Sequence, residues 1–526
     1  MIYLNTDSPY LLFQDAVSSE FFVDKSMMID QISRNIRTAN RYICITRPRR
    51  FGKSMNAHML GAYYTKGKDS GKIFDGLKVS ETEKYQKHRN RHNVMFVDMS
   101  RMPDFCRGYQ DYVFHIIEGF REDLQEAYPF LKEKKYASVS QMFKDSGESF
   151  IFIFDEWDSI FYKDFMSGSD KNAFLSFLKN LLKDQPYVEL AYMTGVLPIA
   201  KYSSGSELNM FDEYNFMDDT IYDRYFGFSE EEVKGLCKDR AGTLSFDDLK
   251  KWYDGYYLSD GSSLFNPRSV TKALLRGVCL NYWTETGPIN EIADCIEHNV
   301  NAVREDIVKM VAGASVEVDL QGYSASDLQL DTRDEILSAM VVFGFLSYHD
   351  GYLRIPNYEL MEKYQKVLSR ESMDEIKVIV DNSREMLKYT LAGNGDQVAE
   401  ILEQVHDREI PFLQYNDENA LSCVITLCYL SARKDYFIER EAKSGKGYCD
   451  YLFLPKKNGK PAIILELKVN DTCEAAIAQM KEKNYIEKAQ RYADEILLVG
   501  ISYDKTQKKH HCMIERMVGF GRSLGN

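Results

Sequence analysis

The tripeptide Gly52-Lys53-Ser54 follows a short apolar segment (41–46) and opens a helical pattern. A strand that passes through a loop into a helix presents backbone N–H groups to a phosphate, because the first helical turn leaves them unpaired. Lys53 would reach the β- and γ-phosphates of a nucleotide, and Ser54 would ligate Mg²⁺. The usual G-x4-G-K-[ST] loop has a glycine where this chain has Arg47.

A pair of carboxylates, Asp155 and Glu156, follows five apolar residues at 150–154. This pattern is typical of the second half of a nucleotide-hydrolysing site. Asp155 would hold the water shell of Mg²⁺, and Glu156 would polarise the attacking water as a general base. A strand that ends in a solvated acidic turn is the plain alternative. Thr194 ends the next apolar segment, where its hydroxyl could sense the γ-phosphate, although an ordinary strand end explains it equally well.

Arginines surround the same loop. Arg49 and Arg50 precede Gly52, and they could contact phosphate or a neighbouring acidic element. Arg224, in YDRYFGF, is a candidate arginine finger, a side chain that many P-loop proteins receive from a neighbouring subunit. No arginine of this sequence declares itself clearly in that role. We therefore consider a homo-oligomer and expect a low basal ATPase rate that rises with protein concentration or with DNA.

A second group of chemically apt residues lies near the C-terminus. Glu466 and Lys468 are two positions apart in AIILELKV (462–469), so on a strand they project from the same face. Asp450 begins CDYLFLP, the expected neighbouring strand. Two carboxylates on adjacent strands can bind Mg²⁺, and a lysine beside them can position or activate water. For an isolated E-x-K sequence, a solvated strand face is the commoner explanation.

Apolar strands alternate with helical patterns in the N-terminal part of the chain. Strands are expected at 41–46, 93–100, 150–154 and 188–196. Short apolar strands separated by helices indicate a parallel sheet with helices on both faces. We therefore predict an α/β fold of the P-loop NTPase type over residues 1–227.

The rest of the chain has two further patterns. Residues 228–400 are mostly helical, with Ser229 as the expected N-cap of the first helix. Two short strands around Asp350-Gly351 suggest a winged-helix-like hairpin. In residues 401–526 a helix precedes four strands, with one long helix (473–493) before the last of them, which predicts a small α/β domain.

The composition is that of a globular protein, with 44% hydrophobic and 28% charged residues among 526. No apolar run approaches the roughly 20 residues of a membrane span, and the start lacks the pattern of a signal peptide. We therefore expect a cytoplasmic protein without membrane contact. The ten cysteines form no Cys-x2-Cys pair, as expected of buried structural thiols. The net charge is −14, whereas residues 431–526 carry +5, a distribution that is compatible with nucleic-acid contact or with chance.

The whole motif set resembles a bacterial AAA-ATPase-like family that carries a nuclease-like C-terminal domain. The resemblance rests on TRPRRFGKS, FIFDEWD, AYMTGVLPIAKYSSGSELNMF, YFGFSEEEV, WYDGYY, FNPRSV and NYWTETG, with VDKS (23–26) similar to the family's segment ahead of the loop. That family's own loop reads RPRRFGK, so Arg47 follows the family pattern. The resemblance implies ATP and Mg²⁺ as cofactors.

The C-terminal segment is similar to the PD-(D/E)XK nuclease superfamily, whose D…E-x-K arrangement Asp450, Glu466 and Lys468 match. The resemblance implies a restriction-endonuclease-like fold, DNA as the partner and a divalent metal. Four more residues are assigned around this core: Glu418 and, more weakly, Glu441 as metal ligands, and Gln479 and Tyr485 as the Q-x(n)-Y element that often faces the site in that superfamily.

Together these patterns predict an ATP-binding and ATP-hydrolysing module coupled to a metal-dependent DNA nuclease-like domain. An association with mobile elements or defence follows by analogy only. Two alternatives stay open. One is a non-catalytic nucleotide-dependent switch, and the other is a DNA-binding scaffold with a nuclease-derived binding domain.

Overall fold

The computed structural model describes residues 1–199, 207–216, 219–238, 244–283, 301–311, 313–318, 332–368, 374–406, 418–444, 447–457, 459–483 and 485–518. The chain divides into two units. The first comprises Met1–Pro288, Val318–Tyr352 and Pro356–Glu359, and the second comprises Ile289–Glu317, Leu353–Ile355 and Leu360–Asn526. Among the described residues, none of the helices combines the length and apolarity needed to cross a membrane.

The α-helices are α1 (Ser8–Val17), α2 (Met27–Ser33), α3 (Lys53–Tyr64), α4 (Gly71–Phe74), α5 (Tyr85–His88), α6 (Tyr109–Ala127), α7 (Val139–Asp145), α8 (Gly168–Leu182), α9 (Glu230–Lys238), α10 (Phe246–Tyr253), α11 (Pro267–Arg276), α12 (Asn301–Val311), α13 (Arg333–Val342), α14 (Tyr358–Leu368), α15 (Asp374–Ala392), α16 (Gly395–His406), α17 (Glu418–Cys428), α18 (Cys473–Glu482) and α19 (Ile486–Ala489). The strands are β1 (Tyr42–Thr46), β2 (Asn93–Asp98), β3 (Phe150–Asp155), β4 (Val188–Gly195), β5 (Asp212–Tyr214), β6 (Tyr256–Tyr257), β7 (Ser263–Leu264), β8 (Val316–Glu317), β9 (Ser347–His349), β10 (Tyr352–Arg354), β11 (Tyr436–Ser444), β12 (Gly447–Pro455), β13 (Ala462–Val469), β14 (Glu495–Asp504) and β15 (Lys509–Val518).

The first unit contains a parallel five-stranded sheet in the order β2-β3-β4-β1-β5. Strands β1, β3 and β4 are buried along their whole length, which is why β1 and β3 appear in the sequence as apolar runs and β4 is mostly apolar, with the buried polar residues Glu189 and Thr194. The four predicted strands are confirmed. The fifth, β5, has only three residues and lies at the partly exposed sheet edge, so it carries no such run.

The helices of this unit bury one face against the sheet. In α6 the buried residues Tyr112, Ile116, Phe120 and Leu124 recur every fourth position, which places them on one side of the helix. Helix α8 begins with a reciprocal cap between Ser167 and Asp170. The α/β fold class predicted for the N-terminal part is confirmed.

The helical middle of the sequence begins with α9 to α11, which belong to the first unit. Their apolar faces share one cluster with Val23 from the segment ahead of the phosphate-binding loop. Ser229 accepts a hydrogen bond from Glu232 N at 3.2 Å, so the expected N-cap is present. Strands β9 and β10 flank Asp350 and Gly351, both with positive φ, at the expected turn.

The second unit contains a mixed sheet in the order β11-β12-β13-β14-β15, with β13 and β14 parallel and the other pairs antiparallel. The four predicted strands are present. The long helix predicted at 473–493 is wrong in its extent, because α18 ends at Glu482 and the separate α19 begins at Ile486. The predicted boundary at residue 401 falls inside α16.

Candidate functional sites

The phosphate-binding loop joins the end of β1 to the start of α3. Gly52 immediately precedes α3 with φ +93°, a left-handed conformation that a side chain would strain. Arg50 is also left-handed, with φ 71°. The sequence therefore uses its one loop glycine at the position where the chain turns into the helix. This is the strand–loop–helix setting that the Gly52-Lys53-Ser54 pattern requires.

Lys53 is buried at the first position of α3. Its Nζ donates to Arg47 O at 2.9 Å and to Pro48 O at 3.0 Å. Burial lowers the pKa of Lys53 to about 8, against the opposing effect of nearby carboxylates, of which Asp158 is the strongest. An ammonium that has lost its water in this way gains from a bound anion. The lysine thus suits a phosphate.

Arg47 is a structural residue in the place of the missing glycine. It is 1% exposed, forms an ion pair with Asp219, and donates to Tyr214 O at 2.8 Å. Its guanidinium also lies 5.0 Å from the centre of the Phe226 ring. Burial lowers the pKa of Arg47, and Asp219 opposes that shift. Arg47 therefore holds the loop to the edge strand β5 and does not face a ligand.

The two carboxylates end β3 beside Thr194 of β4. Thr194 Oγ1 donates to Asp155 Oδ1 and accepts from Glu156 N at 3.3 Å. Asp155 and Thr194 are buried, whereas Glu156 is half-buried and has φ 51°. Burial raises the pKa of Glu156, and the neighbouring Asp155 raises it further. A carboxyl with a raised pKa is a stronger base, as general-base work on water requires.

A cavity of about 700 Å³ in the first unit collects most of the predicted residues. Its polar lining includes Glu156 and residues that favour anions: Arg49, Arg50, Gly52, Lys53, Ser54, Arg268 and Lys272. Lys25 also lines it, but its ammonium pairs with Glu232 at 2.8 Å. Apolar surface is added by Phe21, Phe22, Val23, Phe228 and Pro267. Cationic groups and apolar surface in one cavity match the phosphates and the base of a nucleotide.

Three sequence predictions lie outside the lining of this cavity. Asp155 and Thr194 are buried; the Thr194 hydroxyl accepts from Glu156 N and donates to Asp155. Arg224 is 73% exposed and pairs with Asp260 at 2.6 Å. Its carbonyl accepts a bond from Lys25 at 2.8 Å, so the Arg224 segment supports the cavity by its backbone.

Lys25, Arg268 and Lys272 were missed as site residues. Asn266 caps α11 by accepting from Ser269 N at 3.1 Å, and Pro267 is the first helical residue. The sequence FNPRSV indicates this helix start, because an asparagine cap is followed by a proline at the first helical position. Positions 268 and 272 then lie one turn apart on one helix face. Nothing in the sequence tells which face meets the loop, because that depends on tertiary packing.

The middle region also packs against the back of the loop. A Cβ on Gly344 would lie 2.7 Å from Pro48 Cβ, so only a glycine allows this approach. The Phe51 ring meets the Tyr256 ring at 4.9 Å, and Gly227 N donates to Phe51 O at 3.1 Å. The YFGF and WYDGYY motifs therefore shape the loop from behind.

The second candidate site lies in the sheet of the second unit. Asp450 of β12 and Glu466 of β13 are neighbours, because the register pairs Tyr451 with Leu465. Asp450 Oδ2 accepts from Leu467 N at 2.7 Å, and Glu466 Oε2 lies 3.4 Å from Asp450 N. Burial, together with the neighbouring Asp450, raises the pKa of Glu466 to about 7, and Lys468 opposes that shift. A divalent cation would relieve this conflict, so the pair suits a metal.

Lys468 and Gln479 complete the group. Lys468 Nζ lies 3.5 Å from Glu466 Oε1 and donates to Gln479 Oε1 at 2.8 Å. Gln479 Nε2 also donates to Glu466 Oε1. The structure thus brings together four predicted residues. Tyr485 is fully buried in the apolar core of this unit.

The remaining predicted ligands fall on residues whose side chains are outside the description. Glu418 is the first residue of α17 and Glu441 lies in β11, and nothing is described of either side chain. Among the described residues, no group of three or more His, Cys, Asp or Glu side chains has the arrangement of a metal site. Asp450 and Glu466 therefore form a two-carboxylate site at most within that part of the chain.

Comparison with protein families identifies both ends of the chain. Residues 14–204 match the family of predicted AAA-ATPases, and residues 416–512 match the PD-(D/E)XK nuclease superfamily. Both resemblances seen in the motifs are confirmed. The predicted fold class, including the small C-terminal nuclease-superfamily domain, is confirmed with them.

Among curated proteins, the chain is 22% identical over 515 residues to an uncharacterized protein in the vnfD 5′ region of Azotobacter chroococcum mcd 1, covering 93% of this chain and 94% of that one. Among solved structures it is similar to the Walker-type ATPase of Pyrococcus abyssi, at 13% identity and a TM-score of 0.33 over 65% of this chain and 94% of that one. It is also similar to the ORC2 protein of Aeropyrum pernix, at 10% identity and a TM-score of 0.31 over 67% and 96%.

Proposed function

We propose that this chain, which joins an AAA-ATPase-like domain to a PD-(D/E)XK nuclease superfamily domain, binds and hydrolyses ATP and couples that reaction to metal-dependent cleavage of DNA. The observation that carries the ATP half is the cavity in which Gly52, Lys53 and Ser54 meet Glu156. The family match supports ATP as the nucleotide. The expected cytoplasmic location and a role in mobile elements or defence remain proposals.

The residues divide the work of hydrolysis. Lys53 binds the β- and γ-phosphates, and Arg49, Arg50 and Arg268 add charge around them. Ser54 would hold Mg²⁺, which neutralises phosphate charge when bound, and Asp155, outside the cavity lining, would act on the water shell of the metal. Glu156 accepts a proton from the attacking water. Thr194 orients Asp155 through its hydroxyl and fixes the Glu156 backbone.

Thermal stability in the presence of Mg–ATP tests the nucleotide site. A ligand that binds only the folded state raises the melting temperature with its concentration. We expect this rise in the wild-type chain and its loss in Lys53→Ala, since the loop loses the buried cation that faces the phosphates. The exposed Lys132 of the same unit gives the control, Lys132→Ala, which should respond like the wild type. An equal response from Lys53→Ala contradicts the proposal.

The nuclease half rests on Asp450, Glu466 and Lys468 around one sheet face, and the superfamily match supports it. When bound, a divalent metal would activate water and stabilise charge on the phosphodiester. Asp450 and Glu466 would hold the metal, and Lys468 would position the water.

Plasmid and single-stranded DNA with Mg²⁺ or Mn²⁺, with and without ATP, test this half on the full chain. Asp450→Asn should abolish both cleavage and metal-induced stabilisation. Lys468→Ala should abolish cleavage but retain the stabilisation, because an ammonium is not a ligand. The exposed Glu474 supplies the control, Glu474→Gln. Metal stabilisation that survives in Asp450→Asn contradicts the assignment.

A second candidate function is a DNA-binding module that has kept the nuclease fold without cleavage. It is favoured by the two-carboxylate site, because no third acidic or histidine ligand joins Asp450 and Glu466 among the described side chains. DNA binding that falls steeply with salt, without cleavage under any metal, would select this function.

A further inference from the structure

A buried carboxylate lies outside the lining of the nucleotide cavity and contacts α11, which contributes Arg268 and Lys272 to that lining. Glu359, at the start of α14, is 1% exposed. Its Oε1 accepts from Tyr282 N at 2.6 Å and from Trp283 N at 2.7 Å. Ser269 Oγ donates to the same carboxylate at 2.8 Å. A buried carboxylate is tolerated only when it has such hydrogen-bond partners, so these donors fix the place of the Glu359 side chain.

These contacts fix the first turn of α11. Ser269 follows Arg268 directly, and Arg268 lines the cavity while Ser269 faces Glu359. Asn266 caps the same turn through Ser269 N. The orientation of Arg268 toward the cavity therefore depends on a carboxylate 90 residues further along the chain.

The charges around the cavity support the same link. Burial lowers the pKa of Arg50, Arg268 lowers it further, and Glu359 opposes both effects. Two guanidinium groups near one another repel, and a negative charge behind them reduces that repulsion without entering the cavity. Glu359 is absent from the lining of the cavity, so it leaves the space in front of the arginines to a ligand.

We infer that Glu359 is a positioning residue for the nucleotide site, which holds the first turn of α11 so that Arg268 faces the terminal phosphates of the bound nucleotide. This inference rests on the proposed function, since it assigns a support to the same site. It makes Glu359 act through Ser269 and Arg268, without contact with the ligand.

A double-mutant cycle on the full chain tests this link, with Mg–ATP affinity measured by isothermal titration calorimetry. Arg268→Ala should weaken binding about tenfold, the effect of losing one charge-assisted contact. Glu359→Ala should weaken it to a similar extent. The double variant should be no more than about twofold weaker than Arg268→Ala, because Glu359 acts through that arginine.

Two further variants separate positioning from stability. In Glu359→Gln the amide oxygen can accept from Tyr282 N and Trp283 N, and its NH₂ can donate to Ser269 Oγ. We expect its affinity within about threefold of the wild type. Ser269→Ala serves if Glu359→Ala does not fold, and it should weaken binding through the same pathway. The exposed Glu122 of α6 provides the control, Glu122→Ala.

The inference is overturned if folded Glu359→Ala binds Mg–ATP like the wild type, if Arg268→Ala has no effect, or if the two losses multiply to about a hundredfold in the double variant. A purely structural role would lower the melting temperature of Glu359→Ala without coupling to Arg268. Absence of binding by the wild-type chain contradicts the proposed function itself, and it is visible before any variant is compared.

Discussion

The nucleotide cavity and the carboxylate pair each bury a titratable side chain, but the two side chains have opposite charge. Burial lowers the pKa of Lys53 to about 8 and raises the pKa of Glu466 to about 7. In both cases the low-dielectric surroundings disfavour the charged form. The first site therefore gains from an anion and the second from a cation. One physical cause thus indicates opposite ligands in the two units.

The two sites also differ in how the chain assembles them. Asp450, Glu466, Lys468 and Gln479 come from two adjacent strands and the next helix. The nucleotide cavity instead combines the segment at Lys25, the loop after β1, the end of β3 and α11. A site built from neighbouring strands can be inferred from local spacing together with a family resemblance, whereas a site built from distant segments needs the tertiary fold.

The largest expected effect concerns ATP hydrolysis in the nucleotide cavity. Glu156→Gln should bind Mg–ATP but hydrolyse it roughly 10²–10⁴-fold more slowly, the usual contribution of a general base. Steady-state phosphate release and binding titrations give the two quantities separately. If Glu156→Gln hydrolyses ATP at the wild-type rate, Glu156 is not the general base of the nucleotide cavity.

The next effect concerns the local stability of the strands that carry Asp450 and Glu466. The pKa of Glu466 is raised on folding, so its contribution to stability is full below about pH 4.5 and is lost as the pH rises through about 7. Without metal, local stability should fall by up to about 3 kcal/mol over this range, at about 1.4 kcal/mol per pH unit. Glu466→Gln should abolish the decline.

Hydrogen exchange of β12 and β13 at several pH values, corrected for intrinsic rates, measures this local stability. Addition of Mg²⁺ should remove the decline in the wild type and change nothing in Glu466→Gln. If the local stability of β12 and β13 in the wild type does not change with pH, the electrostatic contrast between the two sites is wrong.

The smallest effect concerns proton uptake by Lys53 when the nucleotide cavity binds ATP. Without ligand the pKa of Lys53 is lowered to about 8 by burial, and a bound phosphate should raise it, so that binding of ATP takes up a proton above that pH. The affinity should fall about tenfold per pH unit above pH 8, since one pKa unit corresponds to about 1.4 kcal/mol. Calorimetry in buffers of different ionisation enthalpy counts the protons. A flat affinity between pH 7 and 9 would mean that Lys53 is not the responding group.

The sequence predicted strands well where every residue of the strand is buried. Strands β1, β3 and β4 are buried on both faces; β1 and β3 stand out as apolar runs, and β4 is mostly apolar despite Glu189 and Thr194. Strand β15 was missed because its exposed and buried residues alternate, and its sequence KHHCMIERMV mixes charged with apolar types. Periodicity detects such an edge strand poorly, since only one face is selected for apolar residues.

The candidate sites show the same limit. Lys53 begins a helix, Glu156 directly follows a buried strand, and Asp450 and Glu466 lie within strands, so local patterns reveal them. Glu359 carries no such pattern, because its partners at 269, 282 and 283 are brought to it only by packing. The identity of Arg47 as a structural residue was likewise fixed by Asp219, a partner far along the chain.

The approach of Gly344 to Pro48 has a consequence for synthesis of the protein. These residues are about 300 positions apart, and ribosomes add roughly 5–20 residues per second, so the loop leaves the ribosome about 15–60 s before its support does. During that interval Phe51 lacks the ring of Tyr256 for part of the time, and the apolar back of the loop is exposed. A nascent chain can therefore complete the support behind its loop only after the first residues of the second unit have already been made, although all residues that line the cavity are made earlier.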